Sequence, residues 1–183
     1  MYPVLKRLHF NLYIVKKTLE YTLIGVDPAI RVNGMAACII TNQVIVFKKY
    51  KRFVDFIKDV PTWINYTTPF ILVEDSSLQN ITFNSSINRA ILSRMSRNVG
   101  MNQGASRIAY EWIKEHGYNT FNISPEGKGR KWSKDIFLKV VDQERLKFEP
   151  HFKPAKVTQD MIDAFSLALM AKKHINNGKK GIN

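Results

Sequence analysis

The segment Leu23-Ile24-Gly25-Val26-Asp27-Pro28 predicts a buried β-strand that ends in a carboxylate. The apolar run has the length of a strand, and Asp27-Pro28 favours a turn directly after it. A second apolar run, Phe70-Ile71-Leu72-Val73, ends in the same way at Glu74. Because an unpaired carboxylate is costly to bury, acids in these positions suggest a site that binds cations.

Two further acids, Asp160 and Asp163, lie near the start of a helix that we expect Thr158 to cap. Their spacing of three residues places both side chains on one face of that helix. If the strands that end at Asp27 and Glu74 are neighbours, their carboxylates emerge at one sheet edge. The acidic face of the helix can then lie against them.

Carboxylate oxygens of this kind suit Mg²⁺ or Mn²⁺. Two such ions about 4 Å apart would activate a water and stabilise a leaving 3′ oxygen. Each acid also has a structural interpretation, because an Asp at a strand end is often a turn former and an Asp pair in a first helical turn is often a cap. The pattern by itself leaves both interpretations open.

The order of predicted elements indicates an α/β domain with a mixed five-stranded sheet and helices on its faces. The first three strands form an antiparallel meander with a hairpin turn at Thr41-Asn42, and the fourth is apolar on both faces. The predicted strands are Tyr21–Val26, Gly34–Ile40, Gln43–Tyr50, Pro69–Glu74 and Tyr118–Ile123. The predicted helices are Ile87–Met95, Asn102–His116, Ser133–Asp142 and a last helix that ends near Lys173, and Phe53–Ile64 is either a short helix or an irregular link. We expect an N-terminal extension at 1–20, one domain at 21–175 and a frayed tail at 176–183.

The charge of the chain points to a polyanionic partner. Its 183 residues include 28 Lys and Arg against 15 Asp and Glu, a net charge of +13. Such a surface favours nucleic acid as the partner, with general basicity as the alternative.

Cys38 is the only cysteine and lies in an apolar run, which excludes a disulfide within the chain and favours a reducing compartment. The length of the apolar runs predicts no membrane helix, so we expect the cytoplasm of a bacterial or phage-infected cell, with the mitochondrion as an alternative.

Three motifs resemble those of the RuvC-type Holliday junction resolvases. Gly25-Val26-Asp27-Pro28 is similar to the first signature of that family, and Gln159-Asp160-Met161-Ile162-Asp163-Ala164 to its closing helix. Val73-Glu74 fits the acid on the fourth strand, and the likeness extends over about residues 22 to 172. The resemblance implies an RNase H-like fold, a homodimer and paired nicks across a four-way DNA junction. It also implies that Asp27, Glu74, Asp160 and Asp163 bind the metal.

The segment from Glu126 to Lys134 is rich in glycine and lysine, and it follows the fifth predicted strand. Resolvases of this type place basic residues near the scissile phosphate here, and Lys128 and Lys134 are the best positional matches. A cation there would offset the charge that builds up in the transition state. Trp132 lies within the same segment and is a candidate for DNA contact. The alternative is a solvated basic loop without a catalytic role.

These features predict a Mg²⁺-dependent endonuclease that resolves four-way junctions. A nuclease of the same fold that cuts flaps, forks or RNA–DNA hybrids is one alternative. A non-catalytic DNA-binding protein is another.

Overall fold

The computed structural model describes residues 21–31, 34–82 and 88–180. One six-stranded sheet forms the centre of this part of the chain, in the strand order β5-β4-β1-β2-β3-β6. Its strands are β1 (Thr22–Asp27), β2 (Met35–Thr41), β3 (Val44–Tyr50), β4 (Pro69–Glu74), β5 (Asn119–Ile123) and β6 (Lys147–Phe148). Strands β1, β2 and β3 are antiparallel neighbours, whereas β4 is parallel to β1, β5 to β4 and β6 to β3. The sheet is therefore mixed, as the order of elements predicts.

Helices cover both faces of this sheet. They are α1 (Phe53–Asp59), α2 (Arg89–Glu115), α3 (Pro125–Lys128), α4 (Lys134–Gln143) and α5 (Gln159–Lys180). Short 3₁₀ turns occupy Val60–Asn65, Ser76–Leu78 and Pro154–Lys156. No described helix is both long enough and apolar enough to cross a membrane.

The alternation of side chains along β1 divides the core between the two faces. Leu23 lies in the cluster formed with α4 and α5, and Ile24 lies in the cluster formed with α1 and α2. Both faces are buried, which explains why β1 and β4 are almost continuously apolar. A strand covered in this way can expose a polar side chain only near its end, where Asp27 and Glu74 lie.

The contact between β1 and α5 depends on the missing side chain at Gly25. A Cβ built at this position would lie 2.0 Å from the carbonyl oxygen of Ala164 and 2.3 Å from the amide nitrogen of Ala168. These are backbone atoms of α5, so the helix is seated directly on the strand. This close contact sets the distance between the first turn of α5 and the end of β1.

Asp59 at the end of α1 ties this helix to β3 and to the following 3₁₀ turn. Its carboxylate accepts hydrogen bonds from Lys48 Nζ at 2.9 Å, Tyr50 Oη at 2.6 Å and Trp63 Nε1 at 2.9 Å. Burial acts to raise the pKa of Asp59, but these hydrogen bonds outweigh it and the pKa is lowered from its ordinary value. Asp59 is therefore a structural acid that stabilises the face of the sheet opposite α5.

Several sequence expectations about the elements are wrong in detail. The sheet has six strands rather than five, because the backbone amides of Lys147 and Glu149 donate hydrogen bonds to the carbonyl oxygens of Gln43 and Ile45. Two residues are too few for a strand period to be visible in the sequence. The hairpin turn lies at Asn42 and Gln43, with φ of 49° and 62°, one residue later than predicted.

The helices also differ from the prediction in their lengths. The two helices predicted at Ile87–Met95 and Asn102–His116 are one 27-residue helix, α2, that runs through Gly100 and Gly104. A glycine within a helix costs about 1 kcal/mol, which does not by itself end the helix. The last helix continues to Lys180 rather than ending near Lys173. The expected extension at 1–20 lies outside the described residues, as does the end of the expected tail, 181–183.

Candidate metal centre and nucleic-acid interface

Two of the four predicted acids are brought together by the parallel pairing of β1 and β4. Val26 lies opposite Val73 in this pairing, so Asp27 and Glu74 follow at the same edge of the sheet. The two strands are central, with β2 on one side and β5 on the other. The two carboxylates are therefore neighbours in space, although Asp27 and Glu74 are 47 positions apart in the sequence.

The other two acids reach this edge through α5. Asp163 is buried, and its Oδ1 accepts a hydrogen bond from Gln159 Nε2 at 3.1 Å. Asp160, one turn earlier, lies closer to the rim and pairs with Arg31 at 2.9 Å and with Lys49 at 3.4 Å. The seating of α5 on Gly25 aims this turn at the end of β1.

All four acids line one cavity of about 270 Å³. Lys128, Lys131 and Arg31 line the same cavity, as do Ser76, Asn102 and Ser106 from the elements that follow β4. Its wall is therefore built from the ends of β1 and β4, the start of α5, the middle of α2 and the segment around α3. The structure places these four acidic side chains in one polar depression.

Lys128 occupies the middle of the acidic group. Its ammonium contacts Glu74 Oε2 and lies 3.8 Å from Asp163 Oδ2, and its side chain is only 5% exposed. Lys131 also lies 3.8 Å from Asp163 Oδ2, but its side chain is 72% exposed. Lys128 is thus a cation inside the cavity, whereas Lys131 and Arg31 lie at its exposed mouth.

The charges in the cavity shift the pKa values of two of its groups. Burial raises the pKa of Asp27 most, and the nearby charge of Glu74 adds to this, so that the pKa is about 8 despite the opposing effect of Lys128. Burial lowers the pKa of Lys128, but Glu74 and the charges of Asp27 and Asp163 outweigh it and raise the pKa overall. The acids therefore repel one another, and additional positive charge in the cavity would relieve that repulsion.

The donor set fits a hard divalent cation. It consists of carboxylate oxygens, which Mg²⁺ and Mn²⁺ prefer. Oε2 of Glu74 is buried and accepts no well-aligned hydrogen bond from the described residues, although the Lys128 ammonium contacts it. The cation beside this buried oxygen is the Lys128 ammonium, so a divalent ion would share the Glu74 carboxylate with it.

The present arrangement of side chains is nonetheless not that of a complete metal cage. Among residues 21–31, 34–82 and 88–180, no three Asp, Glu, His or Cys side chains stand as a ready set of metal ligands. The contacts explain this, because Asp160 is engaged by Arg31 and Glu74 by Lys128. Rotation of the exposed Arg31 side chain would free Asp160 for a cation, whereas the buried Lys128 stays beside Glu74.

Lys134 and Trp132 do not lie at the cavity. Lys134 begins α4, and its ammonium donates to the carbonyl oxygen of Ala155 at 3.0 Å. Trp132 is half-buried, and its ring packs edge-on against Phe165 with centroids 6.3 Å apart. The structure therefore gives the expected catalytic role of Lys134 and the expected DNA contact of Trp132 no geometric support, since the basic segment folds so that Lys128 and Lys131 face the acids instead.

Sequence reasoning missed several residues of the cavity. Arg31 and Lys49 reach Asp160 from the turn after β1 and from β3, and nothing in their local sequence marks them. Ser106 and Asn102 are four residues apart on α2, a spacing that places them on one face and that the sequence does show. Ser106 is buried and its hydroxyl lies 2.9 Å from that of Ser76.

Comparison with known proteins supports the fold. The sequence was compared with protein-family models and with curated proteins, and neither comparison gives a match. Among solved structures, the chain is similar to RuvC of T. thermophilus in complex with a Holliday junction substrate, with a TM-score of 0.51 and 16% sequence identity. The similarity covers 85% of this chain and 96% of that chain. It confirms the predicted RNase H-like fold.

Proposed function

We propose that this protein is a divalent-metal-dependent, structure-specific DNA endonuclease that resolves four-way junctions by phosphodiester hydrolysis. The observation that carries the proposal is the meeting of Asp27, Glu74, Asp160 and Asp163 in one cavity of an RNase H-like fold. RuvC of T. thermophilus, which has a similar fold, is described in complex with a Holliday junction substrate. A fold hosts many activities, so the proposal rests on the site as well as on the likeness.

The four acids would hold Mg²⁺ or Mn²⁺, which when bound lowers the pKa of a water and stabilises charge on a phosphate. Asp27 and Glu74 are fixed by the rigid sheet, and Asp163 is oriented by its hydrogen bond from Gln159. Ligands held on strands and oriented by such neighbours keep their geometry during a reaction. Lys131, exposed at the mouth, is placed to meet a backbone phosphate that approaches the cavity.

The basic surface next to the cavity suits the backbone of DNA. Every residue from Arg89 to Gly104 is exposed or half-buried, so this half of α2 projects beyond the core, and Arg94 and Arg97 are exposed on it. Arg107, by contrast, is engaged with Glu111 at 2.6 Å and lies 3.9 Å from Asp75. Phosphate contacts supply most of the affinity of such proteins, and we assign them to the projecting half of α2.

Paired nicks require two copies of the chain, because each chain has one such cavity in the part that the structure describes. We therefore include a homodimer in the proposal. Exposed apolar side chains on α2, among them Ile91, Met95 and Met101, are available to a second copy. Sedimentation at equilibrium, with and without junction DNA, measures the oligomeric state directly.

Cleavage of a panel of labelled substrates tests the proposed function. The panel contains a four-way junction, a fork, a flap, an RNA–DNA hybrid and a linear duplex of equal length, each with Mg²⁺ and with EDTA. We expect metal-dependent nicks placed symmetrically in the junction and little cleavage of the duplex. Preferred cleavage of forks, flaps or hybrids would assign the site to another nuclease activity. Junction binding without cleavage of any substrate would leave a non-catalytic DNA-binding protein.

Asp27→Asn is the matched variant for this panel. It replaces a proposed metal-binding carboxylate with an amide of nearly the same volume, so we expect loss of cleavage with retained junction binding and an unchanged far-UV circular dichroism spectrum. Gel-shift affinity and single-turnover cleavage are measured on the same preparations. Cleavage by this variant at the wild-type rate would remove Asp27 from the active site.

A further inference from the structure

Lys128 is a buried cation in the centre of the acidic cavity. Its side chain is 5% exposed, contacts Glu74 and lies 3.8 Å from Asp163. Lysine is rarely buried to this extent unless it is paired with acids. Its position is that of an internal counter-ion, in contrast to Lys131, which approaches the same Asp163 oxygen from solvent.

The backbone holds Lys128 in this position. The side chain of Ser124 accepts a hydrogen bond from the Gly127 amide at 3.1 Å, and the Lys128 amide donates to the Ser124 carbonyl at 3.1 Å. Gly129 has a φ of 82°, which favours glycine and ends the turn. Lys128 therefore extends from a hydrogen-bonded turn, not from an irregular loop, directly into the cavity.

The charges of the cavity determine how much further positive charge it accepts. Asp160 is already paired with Arg31 and Lys49 at the rim. The remaining acids, Asp27, Glu74 and Asp163, carry three negative charges once metal binding has released the proton of Asp27, and Lys128 carries one positive charge. The interior therefore has a formal charge of −2, which one divalent cation neutralises and two would reverse.

We propose that each chain binds a single divalent cation, and that the Lys128 ammonium takes the place of a second one. This inference rests on the proposed function and departs from the sequence-based expectation of two ions. Lys128 then acts as a permanent cation opposite the metal, between Glu74 and Asp163. Removal of its charge leaves an interior charge of −3, which opens the position to a second ion.

Manganese binding tests this proposal without recourse to activity. Free Mn²⁺ is followed by electron paramagnetic resonance during titration of the wild type, Lys128→Met and Lys131→Met. We expect one Mn²⁺ per chain for the wild type and for Lys131→Met, and two for Lys128→Met. Lys128→Arg keeps the charge and should remain at one. Circular dichroism confirms folding, and if Lys128→Met does not fold, Lys128→Gln replaces it in the titration.

The outcomes separate this proposal from the proposed function. Two ions in the wild type, or one ion in the folded neutral variants, would overturn the role of Lys128 and leave the nuclease proposal intact. Failure of every form to bind Mn²⁺ at millimolar concentration would overturn both. A second ion in Lys131→Met as well as in Lys128→Met would also overturn it, because the effect would then follow general charge and not the buried position.

Discussion

Substitution of Gly25 by alanine should both destabilise the protein and disrupt the acidic cavity. The added Cβ would lie 2.0 Å from the Ala164 carbonyl oxygen, 2.3 Å from the Ala168 amide nitrogen and 2.8 Å from Leu167 Cβ. Ordinary contacts of a Cβ begin near 3.4 Å, so the Ala164 carbonyl oxygen and the new Cβ must separate by about 1.4 Å. This requires a shift of α5 relative to β1. Two of the three atoms belong to the backbone, and no side-chain rotation relieves the contact.

The expected cost follows from the kind of overlap. Overpacking of a core usually lowers the free energy of unfolding by about 1–3 kcal/mol. Because the helix backbone cannot move aside as a side chain can, we expect a loss at or above the upper limit. We therefore expect a loss of about 3 kcal/mol or more in the free energy of unfolding, which corresponds to roughly 6–12 °C in Tm for a chain of this size. Because α5 carries Asp160 and Asp163, its displacement should also weaken Mn²⁺ binding.

Gly104→Ala is the matched control. Gly104 lies on α2, and a Cβ added there meets no atom within 4 Å. Alanine in a helix is more favourable than glycine by about 0.5–1 kcal/mol, so this variant should be slightly more stable than the wild type. Urea unfolding followed by circular dichroism gives both values. A Gly25→Ala variant within about 0.5 kcal/mol of the wild type would refute the close seating of α5 on β1.

Two further predictions concern the opposite face of the sheet and the DNA surface. Asp59→Ala should cost about 2–3 kcal/mol at pH 7, because it leaves the Trp63 indole and the Tyr50 hydroxyl without their acceptor. Since the folded-state pKa of Asp59 is lowered, its ionic contribution is present above the unfolded value of 3.8 and is lost as pH falls through the lower folded value. Urea unfolding at pH 7 and at about pH 3 should show the difference from wild type shrinking in acid, and a constant difference would contradict the ionic role. For DNA, Arg97→Ala should reduce the slope of log affinity against log salt by about 1, whereas Arg107→Ala should change it little because Glu111 already engages that side chain. Equal changes in the two slopes would contradict the assignment of phosphate contacts to the projecting half of α2.

The local features of the fold were readable from the sequence. The apolar runs that end at Asp27 and Glu74 predicted β1 and β4 to within one residue, because a strand covered on both faces leaves little choice of residue type. Thr158 and the acids after it predicted the start of α5, since the first turn of a helix favours both a cap and negative charge. The resemblance of these motifs to those of the RuvC-type resolvases implied an RNase H-like fold, and the structural similarity confirms the fold.

The sequence was less informative where local propensity and packing oppose each other. Two separate helices were predicted on either side of 96–101, yet α2 is continuous because the cost of a glycine such as Gly100 is smaller than the gain from continuing the backbone hydrogen bonds. Strand β6 has no pattern of its own and exists because β3 offers a free edge. Such elements depend on neighbours that are distant in sequence.

The candidate site shows most clearly which features follow from local sequence and which depend on tertiary contacts. Residue types and short spacings determined which acids could act together and that Asp160 and Asp163 share a face, because these depend only on strand and helix geometry. Only the tertiary structure decided that β4 lies beside β1, that α5 is seated on Gly25 and that Lys128, not Lys134, enters the cavity. A basic segment has many conformations of similar local energy, and the conformation it adopts is selected by the acids that other elements place next to it.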